Sequence, residues 1–142
     1  MNVIDCETTR PNDYPQTLHV RSHTLAADVG PESGSTDSAP GAHDYFDAAL
    51  AACKTLTATW YARRHAIPLE RVESHVERDD SRERAGVYHL KVRLAFHGPM
   101  TDDQRAALIR AVSACPIHKL MTTTEVEIET VVESATPRPA AP

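Results

Sequence analysis

Long apolar runs are missing from this 142-residue chain. No stretch reaches the roughly eighteen consecutive apolar residues that a membrane-crossing helix needs. The N-terminal MNVIDCETTRPNDYPQ also lacks the basic start and apolar core of a secretory signal. A soluble, cytoplasmic protein with no membrane partner is expected. A cationic excess is missing too. The 15 Lys+Arg are outnumbered by 20 Asp+Glu in mixed order, for a net charge of −5, so there is no broad basic surface to match a phosphate backbone and nucleic acid is not an expected partner. Cysteine is scarce. Three residues, an odd number spread over the whole chain, exclude the dense disulfide framework of a small secreted domain. Internal repeats and a low-complexity core are absent as well.

The length fits one domain, which we place at residues 1–133. The closing SATPRPAAP, residues 134–142, has three prolines and almost nothing to bury, and is expected to be a disordered tail. From Tyr14 to Asp28, Leu18, Val20 and Leu25 stand among polar residues, as in a half-buried hairpin of two short strands. Val29 to Ala42 concentrates Gly, Pro, Ser and Asp and reads as a loop. From about His43 to His65, Phe46, Ala49, Leu50, Cys53, Thr57, Trp60 and Tyr61 recur at helical steps. This predicts a long helix nearly buried in its middle and closed by Pro68.

LERVESHVER and AGVYHLKVRLAFHG read as strands. In the second, Tyr88, Leu90, Val92, Leu94 and Phe96 share one face. Thr101 caps a second helix that runs to about Ala114, where Pro116 stops it. EVEIETVV alternates Val126, Ile128, Thr130 and Val132 against Glu125, Glu127 and Glu129 and reads as a last strand with one wet face. Strands mixed with two helices predict an α+β fold with mainly antiparallel pairing.

Two cysteines carry the functional question. Cys53 lies inside the apolar run of the first helix, and Cys115 precedes PIHKLM, which sets His118 and Lys119 within four residues of its sulfur. Buried cysteines commonly just fill space. A redox role asks more, because a thiol with a pKa of about 8.5 is only roughly 3% thiolate at pH 7, whereas one near 6 is about 90% thiolate. Cys53 stands about ten residues into its helix, beyond the reach of that helix's dipole, so its activation would need a cation brought from elsewhere. A zinc site built on Cys53, Cys115 and His118 lacks the short C-x-x-C spacing of structural zinc. No metal and no cofactor is expected.

HDYFDAALAACKTLT followed at this distance by CPIHKLM resembles the OsmC/Ohr superfamily, the osmotically inducible and organic hydroperoxide resistance proteins. The likeness extends from about Tyr14 to Val132. It implies an intertwined α+β homodimer in which antiparallel sheets from both chains wrap two long central helices. By the same resemblance, Cys53 is the peroxidatic nucleophile and Cys115 the resolving thiol of an organic hydroperoxide reductase recharged by a dithiol. Asp44 and Arg21 would support the thiolate across the dimer interface. Asp44 stands nine residues before Cys53, on the opposite side of one helix, so it could serve only the cysteine of a partner chain.

The family's glycine-flanked arginine signature is absent, and His43 stands where another branch has glutamate. Phe46, Leu50, Leu56 and Trp60 would form an apolar pocket beside Cys53. Cys6 reads as a bystander in a polar leader, and Asp44 and Arg21 could equally be a helix cap and a solvated strand residue. Two other readings stay open: a non-enzymatic protein that holds a small hydrophobic molecule in the interface cavity, and a general thiol-handling protein.

Overall fold

The computed structural model describes residues 2–133. The disordered tail expected at 134–142 lies outside them. The element order is β1 (Ile4–Thr8), β2 (Gln16–Val20), β3 (His23–Ala27), α1 (Ala42–Arg64), β4 (Arg71–Asp79), β5 (His89–His97), α2 (Asp102–Ser113) and α3 (Pro116–Thr122). β1, β2 and β3 form one antiparallel sheet in that order, and β4 pairs with β5 in a second antiparallel ladder. The fold is mixed α+β with small antiparallel sheets, as the sequence predicts.

Local chemistry explains the boundaries. α2 opens on a full capping box: Gln104 N–H donates to Thr101 Oγ1 at 3.2 Å, and Thr101 N–H donates to Gln104 Oε1 at 2.9 Å. α1 opens at Gly41, whose N–H donates to Asp44 Oδ2 at 2.8 Å. β5 ends at Gly98, where φ is 142° and a Cβ would stand 2.1 Å from the Pro68 carbonyl oxygen. Only glycine fits that close approach of two backbones. Along β5, Leu90, Val92, Leu94 and Phe96 are half-buried while His89, Lys91, Arg93 and His97 are exposed, which is the alternation the sequence carries.

Four expectations change. Ile4–Thr8 is a strand rather than a polar leader, with Cys6 opposite Leu18 of β2. Its five residues are all exposed, so no apolar period marks it and its ladder bonds to β2 define it. Pro116 ends one helix but also begins α3, because a proline at the first helical position gives up only an N–H that the helix leaves unbonded anyway. Residues 125–132 form no strand within this chain, and Val126, Ile128, Val131 and Val132 are 58–92% exposed. The pattern is present; a neighbour to pair with is not among the described residues.

The fourth change concerns α1, which is buried along one side only, through Asp47, Leu50, Lys54, Ala58 and Ala62. Leu56 and Trp60 on the other side are 68% and 56% exposed, and Phe46, at the edge of the buried side next to Leu50, is 46% exposed. The core of the single chain is correspondingly small: Leu50, Ala58, Ala62, Leu108, Val112 and Cys115.

Candidate functional site

Cys53 sits near the middle of α1, half-buried, with its Sγ 3.9 Å from Thr57 Oγ1 one turn further on. Cys115 is fully buried. It holds an extended backbone, ψ 148°, between the end of α2 and the first residue of α3. Its N–H donates to Val112 O at 3.4 Å and its carbonyl accepts from Lys119 N–H at 3.2 Å. Both sulfurs are free thiols. α2 and α3 both pack on α1, so the elements that carry the two cysteines are neighbours in space.

Lys54, the residue after Cys53, is 5% exposed and points between those elements. Its Nζ donates to Val112 O at 2.6 Å and lies 2.9 Å from His118 Nδ1. Val112 O therefore accepts from both Lys54 and the backbone of Cys115. With Lys54 as donor, Nδ1 of His118 accepts, and the imidazole proton is on Nε2. Sequence reasoning passed over Lys54. The available signal was its spacing: Leu50, Lys54, Ala58 and Ala62 recur every fourth residue and so share the face that meets α2 and α3. His118 is half-buried against Lys54, whereas Lys119 is exposed.

Arg78 of β4 joins two carboxylates of α1, donating from Nε to Asp47 Oδ2 at 2.6 Å and from an Nη to Asp44 Oδ1 at 2.7 Å. Tyr88 O–H donates to Asp47 Oδ1 at 2.7 Å. The Gly41 N–H and the Arg78 guanidinium hold the Asp44 carboxyl below the usual aspartate range. Desolvation, together with the hydrogen bond to Asp47, pushes the Tyr88 phenol up to about 12. Arg78, Asp47 and Tyr88 are not legible as partners in the sequence, because their pairing joins α1 to β4 and to the residue before β5 across thirty residues or more.

Arg21 lies at the β2–β3 turn, exposed, at φ 53°. Among the described residues it has no ion pair. The structure of one chain therefore brings Asp44 to Arg78 rather than to Arg21. His43 Nε2 lies 2.7 Å from Glu83 Oε1, which ties the start of α1 to the loop before β5.

A cavity of about 490 Å³ opens between α1, β5 and α3, and Phe46, Leu50, Lys54, Leu90, His118 and Met121 are among its lining. Phe46 and Leu50, two of the four residues expected to wall an apolar pocket beside Cys53, line this cavity, but Cys53 is not in its wall. Leu56 and Trp60 face out.

A family model described as OsmC-like protein matches residues 35–131. No curated protein sequence matches the chain significantly. Among solved structures, an OsmC-like protein from Mycoplasma pneumoniae is 19% identical with a TM-score of 0.69, over 87% of this chain and 88% of that one. An organic hydroperoxide resistance protein OsmC from Legionella pneumophila is 20% identical with a TM-score of 0.59, over 87% and 90%. The organic hydroperoxide resistance protein OhrB of Bacillus subtilis is 18% identical with a TM-score of 0.54, over 87% and 91%.

Proposed function

The chain belongs to the family of OsmC-like proteins, and on that footing we propose that it is a cysteine-based thiol peroxidase acting on organic hydroperoxides. The Cys53 thiolate attacks the outer peroxide oxygen. The O–O bond breaks, leaving a sulfenic acid on Cys53, and the departing alkoxide takes a proton to become the alcohol. The Cys115 thiol then condenses with the sulfenic acid, forming a disulfide and releasing water. A dithiol of the cell reduces that disulfide and restores both thiols. Asp44 and Arg21 act as supports across the interface of a homodimer, Asp44 through the Arg78 guanidinium it binds. The working unit is the domain 1–133 in an intertwined cytoplasmic dimer, with two long central helices.

One observation carries this reading. Cys53 and Cys115 are both shielded free thiols on elements that pack together, as a pair that must meet after oxidation requires. Consumption of cumene hydroperoxide by wild type, Cys53→Ser and Cys115→Ser tests it. Activity is expected to vanish in the first variant, and a sulfenic acid to accumulate on Cys53 in the second. Equal, slow consumption by all three proteins would overturn it. The cavity favours a second reading, a non-enzymatic holder of a small apolar molecule.

A further inference from the structure

Lys54 is buried without a carboxylate near it. Moving an ammonium out of water is costly unless its environment compensates, yet its two acceptors are neutral: the Val112 carbonyl and the His118 imidazole. Structural ion pairing does not explain the charge, since among the described residues no acidic side chain reaches it. An ammonium also has three N–H donors, and two acceptors leave one of them unused. His118 adds another, because an accepting Nδ1 leaves Nε2–H as a donor with no partner among the described residues.

Lys54 and His118 both line the 490 Å³ cavity, a volume inside the range of about 300–1,000 Å³ that small-molecule sites occupy. The remaining wall is mostly apolar: Phe46, Leu50, Leu90, Val92 and Met121. Of the other polar groups there, Tyr88 O–H is engaged with Asp47 and Thr122 O–H with the His118 carbonyl, while His89 stands exposed at the start of β5. The cavity thus has an apolar body and, at Lys54 and His118, a buried cationic end with two free donors among the described residues.

We propose that this cavity binds a monocarboxylate with an apolar tail, its carboxylate held by Lys54 Nζ and His118 Nε2–H and its tail between α1 and β5. One buried positive charge is matched by one negative charge. A dianion such as a phosphate monoester would leave a charge uncompensated in an apolar chamber. The proposal concerns the cavity and requires neither thiol to react, so its failure and that of the peroxidase reading are separable.

Calorimetric titration of the full-length protein with decanoate and with decanol, equal in length and differing in charge, tests it. Wild type and Cys53→Ser are expected to bind decanoate about tenfold or more tighter than decanol, as a charge-assisted pair of hydrogen bonds implies. Lys54→Met keeps the apolar stem and should bring the two ligands within about threefold by weakening decanoate alone. The Lys54 Nζ resonance of wild type should shift with decanoate and not with decanol, which holds the test even if the variant does not fold. Equal affinity for both ligands, no binding of decanoate, or decanoate binding unchanged in folded Lys54→Met would each overturn the assignment.

Discussion

Asp47 is only 9% exposed, on the side of α1 that faces β4 and β5, and it accepts hydrogen bonds from Arg78 and Tyr88. Asp44, one turn earlier, shares Arg78, but its side chain is 55% exposed. The two carboxylates should therefore differ in what they contribute, although the sequence presents them alike. Asp47→Ala removes the carboxylate acceptor of two hydrogen bonds, from a partly exposed guanidinium and a half-buried phenol, and is expected to destabilise by about 2–3 kcal/mol. Asp44→Ala loses a hydrogen bond at a helix start and an exposed ion pair, together about 1 kcal/mol. Urea denaturation of the two variants beside wild type measures both. The reverse order would show that the Asp47–Arg78–Tyr88 network does not persist in solution. It would also remove Arg78 from the chain of contacts through which Asp44 is proposed to act.

At the scale of elements, one side chain gathers the segment between β3 and α1, beside the segment's own backbone bonds. Asp28 accepts from Ser35 Oγ, Ser38 Oγ and the N–H groups of Ser38 and Val29, at 2.6–2.9 Å. These bonds, those of the two serine hydroxyls first, hold its carboxyl well below the ordinary value of 3.8. A depressed folded pKa contributes stability that is complete above the unfolded value and is lost as pH falls through the folded one. The wild-type urea midpoint should therefore fall as pH drops below about 4. In Asp28→Asn that part of the acid slope should be shallower, with a lower midpoint at pH 7; an identical acid slope in the two proteins would refute the assignment.

Sequence reasoning found this segment only as a loop, since a carboxylate ten residues from its partner serine leaves no periodic trace. It did find β2, β3, β5, α1 and the Thr101 cap, each of which is marked by periodicity or by local capping chemistry. β1 and α3 escaped it for opposite reasons. β1 depends on bonds to β2 that no local pattern encodes, and α3 begins at a proline that also reads as a stop. In the site, the cysteines stood out by residue type, whereas Lys54, Asp47 and Arg78 acquire meaning only from what they face.

Among the described residues of the whole molecule, apolar surface that one chain does not cover lies on α1 and beyond α3. On α1, Phe46, Leu56 and Trp60 are about half exposed or more, and beyond α3 the alternating Val126, Ile128 and Val132 stand in solvent. Full burial of such side chains is worth about 1.5–3 kcal/mol each, while the core of the single chain has few large residues. An alternating segment without a pairing partner among the described residues suits a strand that completes a sheet of a second chain, as an intertwined dimer requires. Ile128, 85% exposed in one chain, separates the alternatives. If it remains in solvent in the working protein, Ile128→Asp changes stability by no more than about 0.5 kcal/mol, the usual range for a surface substitution. If it is buried against a partner, the same change costs about 2 kcal/mol or more per chain, and the melting temperature of wild type rises with protein concentration. We expect the second outcome, together with a light-scattering mass of two chains for wild type and a shift toward one for Ile128→Asp. A concentration-independent melting temperature, a one-chain mass and an unperturbed variant would leave Asp44 with no partner cysteine to serve, and the cross-interface arrangement of the site would fall with the dimer.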